Sequence, residues 1–138
     1  MTITLDQIET AFGQAVEAVV TPILGAEMVV WPNRTDDPAR PFVVFDLPPY
    51  PETQAAVSGG DRRAEGFTQV TVVSKLNEFT RPSNILVQQV KDAFPFGRRI
   101  AAGDGAVVVS NECEVVNRGR DRGDWRVVLQ IPFRLEAA

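Results

Sequence analysis

The sequence predicts an α+β domain: two helices packed on a mostly antiparallel sheet that carries extended β-hairpin arms. Three stretches predict it. Residues 67–75 (FTQVTVVSK) are rich in Val and Thr, which suit a pleated, half-buried surface, and they read as a strand interior on both faces. Leu86, Val90, Ala93 and Phe94 fall on one face of an α-helix. Trp125, Val127, Leu129, Ile131, Phe133 and Leu135 alternate with Arg126, Val128, Gln130, Pro132 and Arg134. That two-residue period belongs to an antiparallel strand with one wet side. At 138 residues and 15.1 kDa the chain reads as a single domain spanning 1–138. Its length suffices to bury about two thirds of the unfolded surface without disulfide staples.

Taken in order, residues 4–20 open as a helix. Thr4 and Gln7 form a capping box, and Ile3 staples onto Ile8. Leu5, Ile8, Phe12, Val16 and Val19 make its apolar stripe, and Pro22 and Gly25 end it. Residues 29–31 read as a short strand, 31–41 as a polar turn bounded by prolines, and 41–47 (PFVVFDL) as a central strand broken by PPYP. Residues 52–58 and 66–74 flank SGGDRRAEG, a glycine-containing turn that predicts a long hairpin. In the second helix Pro82 stands in the first turn behind a Thr80 cap; Pro95 stops that helix and Gly97 turns the chain. Short strands follow at 106–110 and 112–117, with 118–124 a loop before the closing strand. Pro132 cannot donate to a ladder, which predicts an edge or a bulge there.

Composition removes most chemistry. The chain has no histidine, so it lacks the usual general base near neutral pH, the commonest metal ligand, and every Ser-His or Cys-His nucleophile pair. Cys113 is the single cysteine; it forms no internal disulfide and reads as a small buried hydrophobe. No catalytic residue, cofactor or metal site is therefore expected. With 18 acidic residues against 14 basic ones, the net charge of −4 argues against non-specific nucleic-acid binding by the whole surface, and no specific nucleic-acid partner is expected. All the basic residues except Lys75 and Lys91 are arginine. Arginine's planar fork suits paired contacts with carboxylates across interfaces, although a GC-rich coding sequence gives the same bias. No apolar run approaches a membrane span and no signal-peptide layout opens the chain, which predicts a soluble protein made inside the cell.

The remaining motifs are weak. SGGDRRAEG lacks the GK[ST] ending of a phosphate loop, Arg122-Gly123-Asp124 is a chance tripeptide, and the sequon at 33–35 means nothing in a cytosolic protein. Asp36 with Asp37, Glu112 with Glu114, and Asp46 with Glu52 are candidate carboxylate pairs. Paired carboxylates need burial to split their pKa values, and solvated charge is the simpler reading of each. The arginine clusters at two hairpin tips are the better candidates for an interface: Arg62 and Arg63, then Arg118, Arg120 and Arg122. Acids interleave with them (Asp61, Glu65, Asp121, Asp124), so each arginine has an alternative reading as a solvated side chain in a local pair of little energetic worth.

In its order of elements the chain resembles the tail terminator proteins of long-tailed phages, the lambda-type family of tail-completion proteins. The resemblance rests on the opening helix, PFVVFDL, the GFTQVTVVSK return strand of the hairpin, the helix ending in AFP, and the closing strand GDWRVVLQIPFRL. It implies a non-enzymatic virion subunit, assembled in the bacterial host cytoplasm. Such a subunit forms a homo-oligomeric ring, a hexamer, on the end of the tail tube. Its implied partners are further copies of itself, the tail tube protein and the head–neck connector protein, with no membrane involved. Alternatives are another neck protein, or a small ligand-binding or cyclase-like domain with a deep pocket lined by Asp46, Tyr50 or Arg126. A nucleic-acid module with its arginines on one face is a third.

Overall fold

The fold begins with a helix that its own first residues cap. In this computed structural model, which describes residues 3–32, 38–47, 65–76 and 81–137, helix α1 spans Leu5–Leu24. The Thr4 hydroxyl accepts from the Gln7 N–H at 3.3 Å, and the Gln7 side-chain oxygen accepts from the Thr4 N–H at 2.9 Å, completing the expected capping box. Ile3 and Ile8 are both fully buried. Two expectations for this helix need correction. Leu5 is 46% exposed, and Ile3 is buried at the helix start in its place. Pro22 does not end the helix; it lies inside the last turn, forfeiting one bond, and Gly25 makes the stop. Gly25 has φ 101°, a conformation that favours glycine, and its N–H bonds the Thr21 carbonyl at 3.0 Å.

The strands are β1 (Val29–Val30), β2 (Phe42–Asp46), β3 (Glu65–Lys75), β4 (Arg99–Ala102), β5 (Gly105–Val109), β6 (Glu114–Asp121) and β7 (Asp124–Ala137). Helix α2 (Arg81–Ala93) links β3 to β4. The described strands form one sheet in the order β1-β2-β3-β7-β5-β4, with β6 also paired to β7. Only β1 and β2 run parallel among these pairs. The fold is α+β, as the sequence predicts. The strand expected at 52–58, the Thr80 cap and the 59–63 tip lie outside the described residues.

Both helices lie on one face of the sheet. The alternating side chains of β7 from Val127 to Leu135 are buried there, as the two-residue period predicts. So are Thr68, Val70 and Val72 of β3, whereas Gln69 and Thr71 are only half-buried on the other side. Strand β3 is therefore one-faced, not interior on both faces as its composition predicted. Val73 is the exception: with Val30 and Phe42 it makes a small separate cluster. Buried Thr68 is satisfied, its hydroxyl donating to the Asp46 carbonyl at 2.8 Å.

Strand β7 is central, not an edge. It pairs with β3 along one side and, along the other, with β6 up to Gln130 and with β5 from Phe133 onward. Pro132 falls between those two partners. Its carbonyl accepts from the Ser110 N–H at 3.0 Å, so its missing N–H faces the break between β6 and β5. A residue's N–H and C=O project to the same side of a strand, and here the fold needs no donor on that side. Strand β4 was not anticipated at all, and β6 runs four residues beyond its expected end at 117, to Asp121.

Phe12 is the centre of the core. Its ring lies 5.1 Å from that of Phe133 and 6.2 Å from that of Phe94, which joins α1 to β7 and to the end of α2. Cys113 is buried beside them, its thiol donating to the Phe94 carbonyl at 3.1 Å. Burial pushes this thiol up to about 11, which keeps it protonated and unreactive near neutral pH.

Candidate assembly interface

The only one of the two predicted arginine tips among the described residues is the turn between β6 and β7. Asp121 pairs with Asp124 across a two-residue loop of Arg122 (φ 51°) and Gly123 (φ 87°). Two positive φ values in a row define the turn type that matches the natural twist of a hairpin. Residues 118–121 are strand, not the loop expected at 118–124, because β7 supplies their ladder. A bulge between Val115 and Asn117 resets the alternation, so Arg118 stands opposite Val127 and Arg120 opposite Trp125. The guanidinium of Arg118 lies 5.2 Å over the Trp125 ring. Arg62 and Arg63 lie outside the described residues.

The neighbouring acids are not where local pairing would put them. Asp124 takes a two-pronged bond from Arg40, with Nε to Oδ1 at 2.7 Å and Nη2 to Oδ2 at 2.9 Å. Arg126 lies 3.2 Å from the Asp121 carboxylate and 3.9 Å from that of Asp124. Both hairpin carboxylates are thus held by Arg40 and Arg126. Arg118, Arg120 and Arg122 have no ion-pair partner among the described residues. These three arginines are exposed, and the local ion pairs expected beside them are not formed among the described residues. Val115 and Val116 on the same strand are 42% and 43% exposed, adding apolar surface beside the free charges.

Arg40 and Trp125 were missed as parts of this site. Arg40 meets Asp124 across 84 residues of sequence, a contact that no local pattern announces. The Arg40 hydrogen bond, then the charges of Arg40 and Arg126, outweigh burial and hold the Asp124 carboxyl below the usual carboxylate range. A depressed pKa stabilises the fold above the unfolded value of about 3.9 and loses that contribution as pH falls through the folded value. Asp124→Asn is therefore expected to cost about 1 kcal/mol at pH 7, the upper end for a partly exposed pair. The gap between variant and wild type should close below about pH 4. Urea unfolding at several pH values measures it, and a gap independent of pH would contradict this account.

The alternative small-molecule site finds no counterpart in these positions. Asp46 is exposed at the end of β2, and Arg126 is engaged by the hairpin carboxylates. Tyr50 lies outside the described residues. Glu112 and Glu114 are exposed, in line with solvated charge, and Asp36, Asp37 and Glu52 lie outside the described residues. Among the described residues, no three Cys, Asp or Glu side chains converge as a cation site, and no helix is long and apolar enough to cross a membrane.

Comparison with known proteins agrees with the fold and extends it. A solved structure superposes with a TM-score of 0.79 at 20% sequence identity, covering 98% of this chain and 97% of that chain, a likeness of fold. No curated protein matches by sequence. The family described as "Phage tail terminator protein" matches residues 7–133, from the first turn of α1 to near the end of β7. The chain belongs to the phage tail terminator family, a structural family of the virion tail with a role in tail completion.

Proposed function

We propose that this subunit closes with further copies of itself, six in the simplest reading, into a ring on the end of the tail tube. That ring stops tube polymerisation and presents the surface to which the head connector joins. The observation that supports self-assembly is the β6–β7 hairpin, whose three arginines lack partners among the described residues while its own carboxylates are occupied. Free forked cations on the exposed strand β6 and its turn, beside exposed valines, fit a surface completed by another protein. Catalysis has no place in this reading, since its work is geometric: a ring of fixed size matches the tube and blocks the next tube subunit.

Deleting the gene from its parent element is the direct test. Heads should form normally while tails grow to uncontrolled length and fail to join them, as seen by electron microscopy of lysates. Tails of normal length that still fail to join heads would point to a different neck role and overturn termination.

A further inference from the structure

We propose that subunits join head to tail through the two ends of β7, the arginine hairpin of one copy seating on the carboxylate end of the next. This rests on the ring reading above and names the two surfaces that make it. At 14 residues, β7 separates its ends by about 45 Å. The described charges divide between those ends.

At the start of β7 stand Arg118, Arg120 and Arg122, with Lys75 directly opposite Asp124 at the end of β3. The carboxylates there, Asp121 and Asp124, are neutralised by Arg126 and Arg40. At the far end the signs reverse. Glu65 begins β3 opposite Arg134, and the β4–β5 turn bearing Asp104 closes where Gly105 pairs with Ala137. Glu65 and Asp104 are exposed and have no cation partner among the described residues. Of the arginines at that end, Arg99 and Arg134 are turned onto Glu136, at 2.6 and 3.3 Å, and Arg98 is turned inward, donating to the Ala93 carbonyl at the end of α2 and lying 5.0 Å over the Phe94 ring. Among the described residues, each end thus keeps one sign of charge unspent, positive at the hairpin and negative at Glu65 and the β4–β5 turn.

A second copy is the occupant that this polarity selects. Like ends repel, which disfavours a two-fold pair through either one, whereas unlike ends attract. One patch meeting a different patch is the heterologous contact that generates rings when the rotation closes. Forked guanidinium–carboxylate bonds across the joint would also fix its register.

Charge exchange between variants tests it, read by light scattering of protein eluting from a sizing column at low salt. Arg120→Glu/Arg122→Glu and Glu65→Lys/Asp104→Lys should each raise the dissociation constant for self-association by at least about tenfold. Their circular dichroism should match the wild type. An equimolar mixture should assemble again, because each variant offers the end that the other has lost. Either variant assembling like the wild type, or a mixture that stays dissociated, would overturn this interface and leave the ring standing. A wild type that is monomeric at every concentration would overturn ring and interface together. Salt supplies a check that needs no variant: assembly of the unaltered protein should weaken as the screening length falls from about 10 Å at 0.1 M to about 3 Å at 1 M. Assembly unmoved or strengthened by salt would also overturn the proposal.

Discussion

Phe12→Ala is expected to cost about 3–5 kcal/mol, the range for deleting a fully buried aromatic ring. Domains of this size hold only about 5–15 kcal/mol in total, so the variant should sit close to its unfolding point. The cost falls at the top of the range for a reason of position. Phe12 is completely buried, and its ring touches Phe133 of β7 and Phe94 just beyond α2. Three elements meet at one side chain, and none can close the void without leaving the others. Phe12→Leu keeps most of the volume and should cost less than about 1.5 kcal/mol. Urea unfolding with the slope held in common would give both values. If alanine proved no worse than leucine, the site collapses freely and the three-element junction is not what holds the core. The leucine variant should also assemble normally, since Phe12 lies far inside the face that the helices cover.

What the sequence made legible was whatever a single element records about its own surroundings. The stripe of α1 and the alternation of β7 are each written by one burial face, and both are found as read, Leu5 apart. What stayed illegible depends on the partner. Strand β4 is only Arg99–Ala102, with one buried residue, and its existence follows from pairing with β5. Strand β6 is almost wholly exposed, so it has no alternation to detect and owes its ladder to β7. Its turn was disguised as well, because Arg122 stands where Asn or Asp more commonly signals such a hairpin. Pro132 misled for a related reason: a missing donor marks an edge only if a neighbour needed that donor, and here two strands part at that point. In the candidate site, residue type and spacing single out Arg118, Arg120 and Arg122 as candidates. Only the fold could reveal that Arg40 and Arg126 occupy the carboxylates beside them.

Gly13→Ala should destabilise the domain by about 2 kcal/mol, although alanine is intrinsically the better helix former by about 1 kcal/mol. Gly13 is buried in the middle of α1, and the indole of Trp31 lies on it. A Cβ at this position would come within 2.1, 2.4 and 2.5 Å of three indole carbons, separations that real atoms do not tolerate. The ring must lift away. It then loses its edge-on contact with Phe45, now at 5.7 Å and 78°, and its N–H bond to the Glu17 carboxylate at 2.5 Å. An aromatic pair and a hydrogen bond to a charged group contribute roughly 0.5–1.5 and 1.5–3 kcal/mol, so together they exceed the helix-propensity gain. The sign therefore depends on Trp31, and a double-mutant cycle exposes it. In a Trp31→Ala background the obstruction is gone, and the same Gly13→Ala change should become stabilising by about 0.5–1 kcal/mol. A Gly13→Ala cost that persists without the indole would mean that the glycine serves the backbone of α1 itself and not the seat of Trp31.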